Sequence, residues 1–232
     1  MKLGNYLQIV FAVNDPAAAR DFYIKYGFKP VNDTILTDGS YNLRLVDAGG
    51  DRPSIQLHYA GSDLDAIATA LTEAGATLNR NNPTASFTAP DAFPVSLTSQ
   101  TVDVPMPPGD ALNRSPISRF GKFGEFTIAT SDLQASLAFW GKLGYDKLHE
   151  STDPYPWGII SDGMIVIGLH QNPDFNGQYI AYFSGDMIDR LTTLKDELPE
   201  FQAVPPEVDG KLGNAMFTAP GGQRFFLFYG EI

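Results

Sequence analysis

One stretch of the sequence occurs twice, and this repeat restricts the possible folds more than any other feature of the chain. Residues 8–28 align without a gap with residues 125–145, at a constant offset of 117 positions. Each copy begins with an alternating apolar run, which is typical of a strand, and continues with apolar residues at helical spacing. A period close to half the chain length indicates two similar units rather than a solenoid of many small repeats.

Both copies carry the same helix signals. Asp15 and Asp132 precede the helical segments, where a carboxylate can accept the free amide protons of the first turn. Gly27 and Gly144 follow these segments, at the position where a left-handed cap favours glycine. The repeat therefore predicts a strand, a helix and further strands at the start of each half.

The repeat continues beyond these segments. A second helical segment begins at Asp63 in the first half and at Asp186 in the second, and the sequence Phe-Thr-Ala-Pro occurs at residues 87–90 and again at 217–220. The stretch from residue 100 to residue 120 contains four prolines and has no apolar periodicity, so it is interpreted as a linker. We therefore expect two domains, at residues 1–115 and 116–232.

Composition limits the class of protein. A chain of 232 residues can hold one large core or two small ones, and the repeat favours two. With 16 Lys and Arg against 27 Asp and Glu, the net charge of −11 argues against nucleic acid or an anionic membrane surface as a partner. The chain has no cysteine, which excludes disulfides, thiolate metal sites and cysteine nucleophiles. No leader and no long apolar run is evident, so we expect a cytoplasmic protein.

Three features of the repeat resemble the vicinal oxygen chelate superfamily. They are the spacing from the strand to Asp, the Phe-Tyr or Phe-Trp pair that precedes Gly and an aromatic residue, and the Phe-Thr-Ala-Pro ending. This superfamily includes glyoxalase I, bleomycin-resistance proteins, fosfomycin-modifying enzymes and extradiol dioxygenases. The resemblance covers nearly the whole chain. It implies an α+β fold of two tandem glyoxalase-like domains, each made of paired β-α-β-β-β modules that form a cup-shaped sheet. In metal-dependent members, three side chains in the cup hold a divalent ion.

In the first cup, the resemblance places Gln8, Gln56 and Ser96 at the three metal positions. Two amides and a hydroxyl carry no charge and make a weak divalent site. His58 follows Gln56 by two residues, so it faces the same side of its strand. We expect these four residues to form a polar ligand-binding set, although a hydrogen-bonded histidine at a strand end is the commoner role for a residue such as His58.

In the second cup, the same positions are Glu125, Tyr179 and Phe226, of which only Glu125 is a good metal ligand. We therefore predict no metal and no other cofactor at either set. A divalent ion held by a divergent ligand set remains an alternative. Such a set would need Glu125 to meet His149 and His170.

Alternation along the strands indicates which side chains face the second cup. Glu125 alternates with Phe126 and Ile128, which are expected to face the helix, so Glu125 lies on the cup side. A carboxylate on an apolar concave face is costly unless paired, which makes Glu125 a candidate catalytic residue; the alternative is a partly solvated glutamate at the start of a strand. Aromatic strand residues are usually core, but in an open cup they can line a ligand pocket. The candidate ligand-binding wall consists of Tyr179, Phe183, Arg224, Phe226 and Phe228.

Three functions follow as alternatives. The leading hypothesis is a glyoxalase-like or bleomycin-resistance-like protein that binds a small organic molecule without the superfamily's metal. The second is a metal-dependent lyase, isomerase or dioxygenase with a divergent ligand set. The third is a non-catalytic interaction protein whose cups are filled with side chains. The residues leave open whether the chain is an enzyme, which molecule it binds, and whether it is a monomer or a homodimer.

Overall fold

A computed structural model describes residues 1–51, 54–175 and 177–231. The first half contains the strands β1 (Tyr6–Val13), β2 (Lys29–Pro30), β3 (Ile35–Thr37), β4 (Asn42–Asp47), β5 (Ser54–Ala60), β6 (Asn79–Asn81), β7 (Thr84–Ala89) and β8 (Phe93–Thr98), with the helices α1 (Pro16–Lys25) and α2 (Leu64–Glu73). The second half contains β9 (Lys122–Ala129), β10 (Asp146–Ser151), β11 (Trp157–Ser161), β12 (Val166–His170), β13 (Gln178–Ser184), β14 (Gln202–Ala203), β15 (Ala215–Thr218) and β16 (Arg224–Tyr229), with the helices α3 (Leu133–Lys142) and α4 (Met187–Glu197).

The two halves have the same strand order, which confirms the predicted α+β fold of two similar halves. The first sheet runs β2-β3-β4-β1-β5-β8-β7-β6 and the second β10-β11-β12-β9-β13-β16-β15-β14. In each sheet, two β-α-β-β-β modules join through the antiparallel pairing of their first strands, β1 with β5 and β9 with β13. In the first sheet, β4 pairs in parallel with β1 and β8 with β5. In the second sheet, β12 pairs in parallel with β9 and β16 with β13.

The helix signals of the repeat are confirmed. The carboxylates of Asp15 and Asp132 each accept a hydrogen bond from the backbone N–H three residues later, at 2.9 and 3.0 Å. Gly27 and Gly144 follow the two helices with φ of +96° and +90°, values that glycine adopts without a steric cost.

Several local features differ from the sequence expectations. Asp186 precedes α4 as predicted, but its carboxylate does not cap the helix and instead pairs with Arg190 at 2.6 Å. The short strands β3, β6 and β14 were not predicted, since two or three residues are too few to show an alternating pattern. No helix in the described part of the chain is long and apolar enough to cross a membrane.

The expectation of two separate cores is wrong, because one apolar cluster continues through both halves. Helix α1 packs on the last strands of the second sheet, with Tyr23 6.1 Å from Phe225 between ring centroids. Helix α3 packs in the same way on the first sheet, with Trp140 6.4 Å from Phe93. Helices α1 and α3 therefore each contact both sheets, on the faces opposite the cup-side residues.

The register of the strands aligns the candidate positions of the two cups. Directly opposite residues form the row Gln8, His58 and Ser96 in the first sheet and the row Glu125, Ala181 and Phe226 in the second. In the next row, Gln56 lies opposite Val10, and Tyr179 lies opposite Thr127. Gln8, Gln56 and Ser96 therefore occupy the same places in their sheet as Glu125, Tyr179 and Phe226 in theirs.

Candidate functional site

Glu125 lies near the centre of the second cup and is 9% exposed. Its Oε1 accepts a hydrogen bond from Thr127 Oγ1 at 2.7 Å and lies 2.8 Å from His170 Nε2. Gly168, on the neighbouring strand β12, provides the space for this carboxylate, since a Cβ atom at that position would overlap it. The buried charge is thus compensated by two polar partners on its own and the adjacent strand.

The second ring nitrogen of His170 extends this contact toward the rim. His170 Nδ1 lies 3.1 Å from the hydroxyl oxygen of Tyr155, on the loop before β11. Burial raises the pKa of Tyr155, while a hydrogen bond from Asn172 opposes this shift and the charge of Glu125 adds to it. With a neutral imidazole that donates from Nε2 to Glu125, Nδ1 accepts the proton of the Tyr155 hydroxyl. The three side chains form one hydrogen-bonded chain.

The structure brings the five predicted wall residues together. Tyr179 and Phe226 lie 4.9 Å apart between ring centroids, and Phe228 lies 5.3 Å from both Phe226 and Phe183. The guanidinium carbon of Arg224 lies 4.1 Å above the ring of Tyr179, a cation–π contact. Tyr179 and Phe226 belong to an apolar cluster on the concave side that is separate from the main core.

A loop aromatic residue covers part of this wall. The ring of Phe175 lies 5.7 Å from Tyr179, 5.9 Å from Phe226 and 5.7 Å from His170. A cavity of about 480 Å³ adjoins Phe175 and is lined by Ala129, Thr130, Ser131, Gln171, Asn172, Pro173 and Gly177. Phe175 therefore separates the aromatic wall from open space at the end of the cup.

The candidate residues of the first cup are polar, and two of them, His58 and Ser96, contact each other. His58 Nδ1 lies 2.9 Å from Ser96 Oγ, and burial, followed by the nearby charge of Arg44, lowers the pKa of His58. Gln8 is buried and its Oε1 accepts from the Tyr6 hydroxyl at 3.1 Å. Gln56 is half-buried two residues along the strand from His58.

The linker covers part of the first cup. Asn42 Nδ2, on β4, donates to the carbonyl oxygen of Pro105 at 2.9 Å and contacts the Tyr6 hydroxyl at 3.3 Å. Met106 packs against the main core through its partly buried side chain. The second cup, by contrast, is covered by the loop that carries Phe175.

The donor set does not fit the three-ligand metal site of the superfamily. Phe226 carries no donor atom, and Tyr179 forms part of the aromatic wall. His170 meets Glu125, but His149 is exposed and its ring instead lies 4.7 Å from that of Trp157, between ring centroids. Among the described residues, no three His, Asp or Glu side chains are placed to hold one ion. A site with two donors falls short of the three or more that Zn²⁺ or Fe²⁺ requires.

Four residues of the second cup were not predicted as site residues. His170 was considered only as a metal ligand, although alternation in β12 places it on the same face as Gly168. Tyr155 and Phe175 lie on loops, where no periodicity indicates the direction of a side chain. Trp157 also belongs to this group of neighbours, since its ring stacks parallel to His170 at 6.0 Å.

Comparisons with known proteins give a likeness of structure only. No family model matches the sequence, and no curated protein matches it. A catechol 2,3-dioxygenase superposes with a TM-score of 0.60 and 18% identity over 99% of this chain and 88% of that one. The homoprotocatechuate 2,3-dioxygenase of Arthrobacter globiformis gives 0.64 and 14%, over 100% and 81%. The 2,3-dioxygenase LapB of Pseudomonas sp. KL28 gives 0.60 and 13%, over 100% and 94%. The chain thus has the fold of these extradiol dioxygenases.

Proposed function

We propose that the protein binds a small aromatic molecule in its second cup, without the metal of the superfamily. The observation that carries this proposal is the residue at the position where metal-dependent members of the superfamily have a carboxylate that binds the metal. Phe226 stands there, packed between Tyr179 and Phe228 in an apolar cluster on the concave face. An aromatic wall at this position favours an apolar ring where the superfamily's pattern has a charge.

The energetics of the wall support an aromatic ligand. Full burial of a phenyl-sized group stabilises a complex by about 1.5–3 kcal/mol, and well-oriented ring pairs add roughly 0.5–1.5 kcal/mol. Glu125 with His170 and Arg224 supply polar contacts at two sides of the wall. The structural neighbours are named for catechol and homoprotocatechuate, which is consistent with an aromatic molecule in this fold.

Phe175 occupies the place next to the wall where a ligand ring is proposed to bind. Its ring contacts both Tyr179 and Phe226, and the adjoining cavity of about 480 Å³ has room for a displaced phenyl group. A ligand ring would replace these contacts by its own. Phe175→Ala removes the competing ring, so we expect this variant to bind small aromatic molecules more tightly than the wild type.

The test is a binding screen with phenol, benzoate, phenylacetone and aniline by ligand-observed NMR and thermal shift. Phe226→Glu places a charge in the wall and should weaken binding by about tenfold or more. Ser96→Glu adds the same charge at the equivalent position of the first cup and should leave binding unchanged. Equal binding by wild type and Phe226→Glu would remove the second cup as the site. No binding by either wild type or Phe175→Ala would favour cups filled by their own side chains.

The same preparations decide the metal-dependent alternative. Elemental analysis of protein purified without chelators should find no stoichiometric transition metal. Near-stoichiometric metal that is lost in Glu125→Ala would replace the present proposal by the metal-dependent one.

A further inference from the structure

We propose that Tyr155, His170 and Glu125 form a proton relay in which the hydroxyl oxygen of Tyr155 is the reactive atom of the second cup. The relay removes a proton from an aromatic carbonyl compound, at the carbon next to the carbonyl group. This inference rests on the proposed function, because it requires an aromatic ligand in this cup. Tyr155 is the catalytic residue, and His170 and Glu125 act through it.

The geometry connects the three groups in one direction. Tyr155 Oη lies 3.1 Å from His170 Nδ1, and His170 Nε2 lies 2.8 Å from Glu125 Oε1. Both ring nitrogens are therefore engaged, which fixes the orientation of the imidazole. A hydroxyl, an imidazole and a carboxylate in this order allow the imidazole to take the hydroxyl proton while the carboxylate stabilises the resulting imidazolium.

The first half of the chain shows that the fold does not require these side chains. In the first sheet, Gln8 occupies the position of Glu125, and Val46 occupies the position of His170. The same backbone is thus built in the first half with an amide and an aliphatic side chain. The second half carries a buried carboxylate and an imidazole instead, although buried polar groups are costly unless their partners are correctly placed.

Tyr155 lies at the edge of the proposed ligand site. It is half-buried, and its ring meets that of Phe175 edge-on at 5.8 Å. Phe175 in turn contacts Tyr179 and Phe226, the wall against which the ligand ring is proposed to lie. A ligand ring that displaces Phe175 therefore brings its substituents next to the Tyr155 hydroxyl.

The reaction is balanced without a further reactant. The C–H bond of the ligand breaks and its proton forms a new bond with Tyr155 Oη, as the Tyr155 proton moves to His170 Nδ1. The electron pair of the C–H bond moves into the carbonyl group and gives an enolate. Arg224, held over Tyr179, is the cation of the same wall and can stabilise this negative charge. Return of the protons in reverse order restores the ketone, with solvent protons exchanged into the carbon.

The first experiment tests the relay with benzenesulfonyl fluoride, an aromatic probe that reacts with activated hydroxyls. Tyr155 Oη forms a bond to sulfur, fluoride leaves, and the tyrosine proton passes to His170. Peptide mass spectrometry gives the labelling rate at each tyrosine. We expect Tyr155 to react about tenfold or more faster than Tyr229, which is 43% exposed and serves as the internal control.

Variants separate the relay from ligand binding. The dependence of the labelling rate on probe concentration gives a half-saturating concentration and a maximal rate. His170→Gln and Glu125→Gln should lower the maximal rate at Tyr155 and leave labelling of Tyr229 unchanged, whereas Phe226→Glu should raise the half-saturating concentration. If labelling of Tyr155 saturates with probe concentration but both His170→Gln and Glu125→Gln keep the wild-type maximal rate, the relay is overturned and the proposed function is preserved. Labelling that never saturates contradicts the proposed function itself.

The second experiment tests the substrate class with phenylacetone in D₂O, by NMR of its methylene protons. The wild type should accelerate deuterium exchange, and Tyr155→Phe should lower the rate by roughly 100-fold, the usual contribution of a general base. Tyr6→Phe removes a tyrosine hydroxyl that is hydrogen-bonded in the first cup and is the matched control, with an unchanged rate. Exchange no faster with wild type than with Tyr155→Phe overturns the assignment to carbonyl compounds.

Discussion

The hydroxyl of Tyr182, in the second half, donates a hydrogen bond of 2.7 Å to Asp38 Oδ2, in the first half. Tyr59 and Asp162 make the reciprocal contact at 3.2 Å. Each aspartate lies in the turn before the fourth strand of its half, and each tyrosine lies on the fifth strand of the other half. The two halves therefore exchange equivalent buried contacts between a strand of one half and a turn of the other.

The first prediction concerns the pH dependence of stability. Burial raises the pKa of Asp38 from 3.8 to about 6, against the opposing effects of its hydrogen bonds from Tyr182 and from the backbone of Ser40 and Tyr41. Since the folded state binds this proton more tightly than the unfolded state, the contribution of Asp38 to stability is full below about pH 4 and is lost as the pH rises through 6.

Urea unfolding of wild type and Asp38→Asn at several pH values measures this effect. Relative to the variant, the wild type should lose roughly 2–3 kcal/mol of unfolding free energy between pH 4 and pH 7, because the pKa of Asp38 is about 6 in the folded state and 3.8 in the unfolded state. The contribution of Asp162 is present in both proteins and cancels. Parallel stability curves for the two proteins would contradict the prediction.

The second prediction concerns Arg114, in the linker. Its buried guanidinium donates from Nη1 to the carbonyl oxygens of Ser40 at 2.7 Å and Met164 at 2.8 Å, which lie at equivalent places in the two turns. Arg114→Ala removes the guanidinium that donates to these two buried carbonyls and should lower the unfolding free energy by about 2–4 kcal/mol. Arg119→Ala, which removes an exposed ion pair with Glu197, is the control and should cost much less. Equal losses would show that Arg114 does not join the halves.

The regular elements could be predicted because their signals are local and occur twice. Alternation in β9 and β16 placed Glu125 and Phe226 on the concave face, and the capping residues marked the starts of α1 and α3. The shared core could not be predicted in this way. Tyr23 belongs to the apolar stripe of α1, and this stripe would look the same whether α1 packed on the first sheet or on the second. The sequence therefore does not show which sheet the helix covers.

The partners of the candidate site residues could not be predicted from the sequence, because they lie on neighbouring strands and on loops. Alternation placed both Glu125 and Arg224 at the second cup but did not indicate a partner for Glu125, which the structure pairs with His170, 45 positions away. Tyr155 and Phe175 reach the cup from loops whose path is set by tertiary packing. Gly168 was the one local signal available, since a glycine within a strand often marks a place where another group approaches closely.

The third prediction uses this glycine. Gly168→Ala places a Cβ atom in the space of the Glu125 carboxylate, so the carboxylate must move away from His170. We expect a loss of about 1–3 kcal/mol in unfolding free energy. The imidazole ¹⁵N signals of His170 should shift, while those of His58 and His149 stay unchanged. Gly141→Ala, on α3 with open space around it, is the control and should be neutral or stabilising. Unchanged His170 signals in Gly168→Ala would contradict the contact.

The fourth prediction concerns the metal positions. If the missing donors alone prevent metal binding, the double substitution Tyr179→His and Phe226→Glu should give the second cup a divalent site with Glu125, because the register places all three in adjacent rows of neighbouring strands. Elemental analysis after incubation with Zn²⁺ and desalting should find about one ion per chain in the double variant, the occupancy expected of a site with three protein ligands. Adding Glu125→Ala to the double variant should abolish this binding. The same amount of zinc in wild type and double variant would show that the wild-type donors already suffice and that the aromatic wall does not replace a metal site.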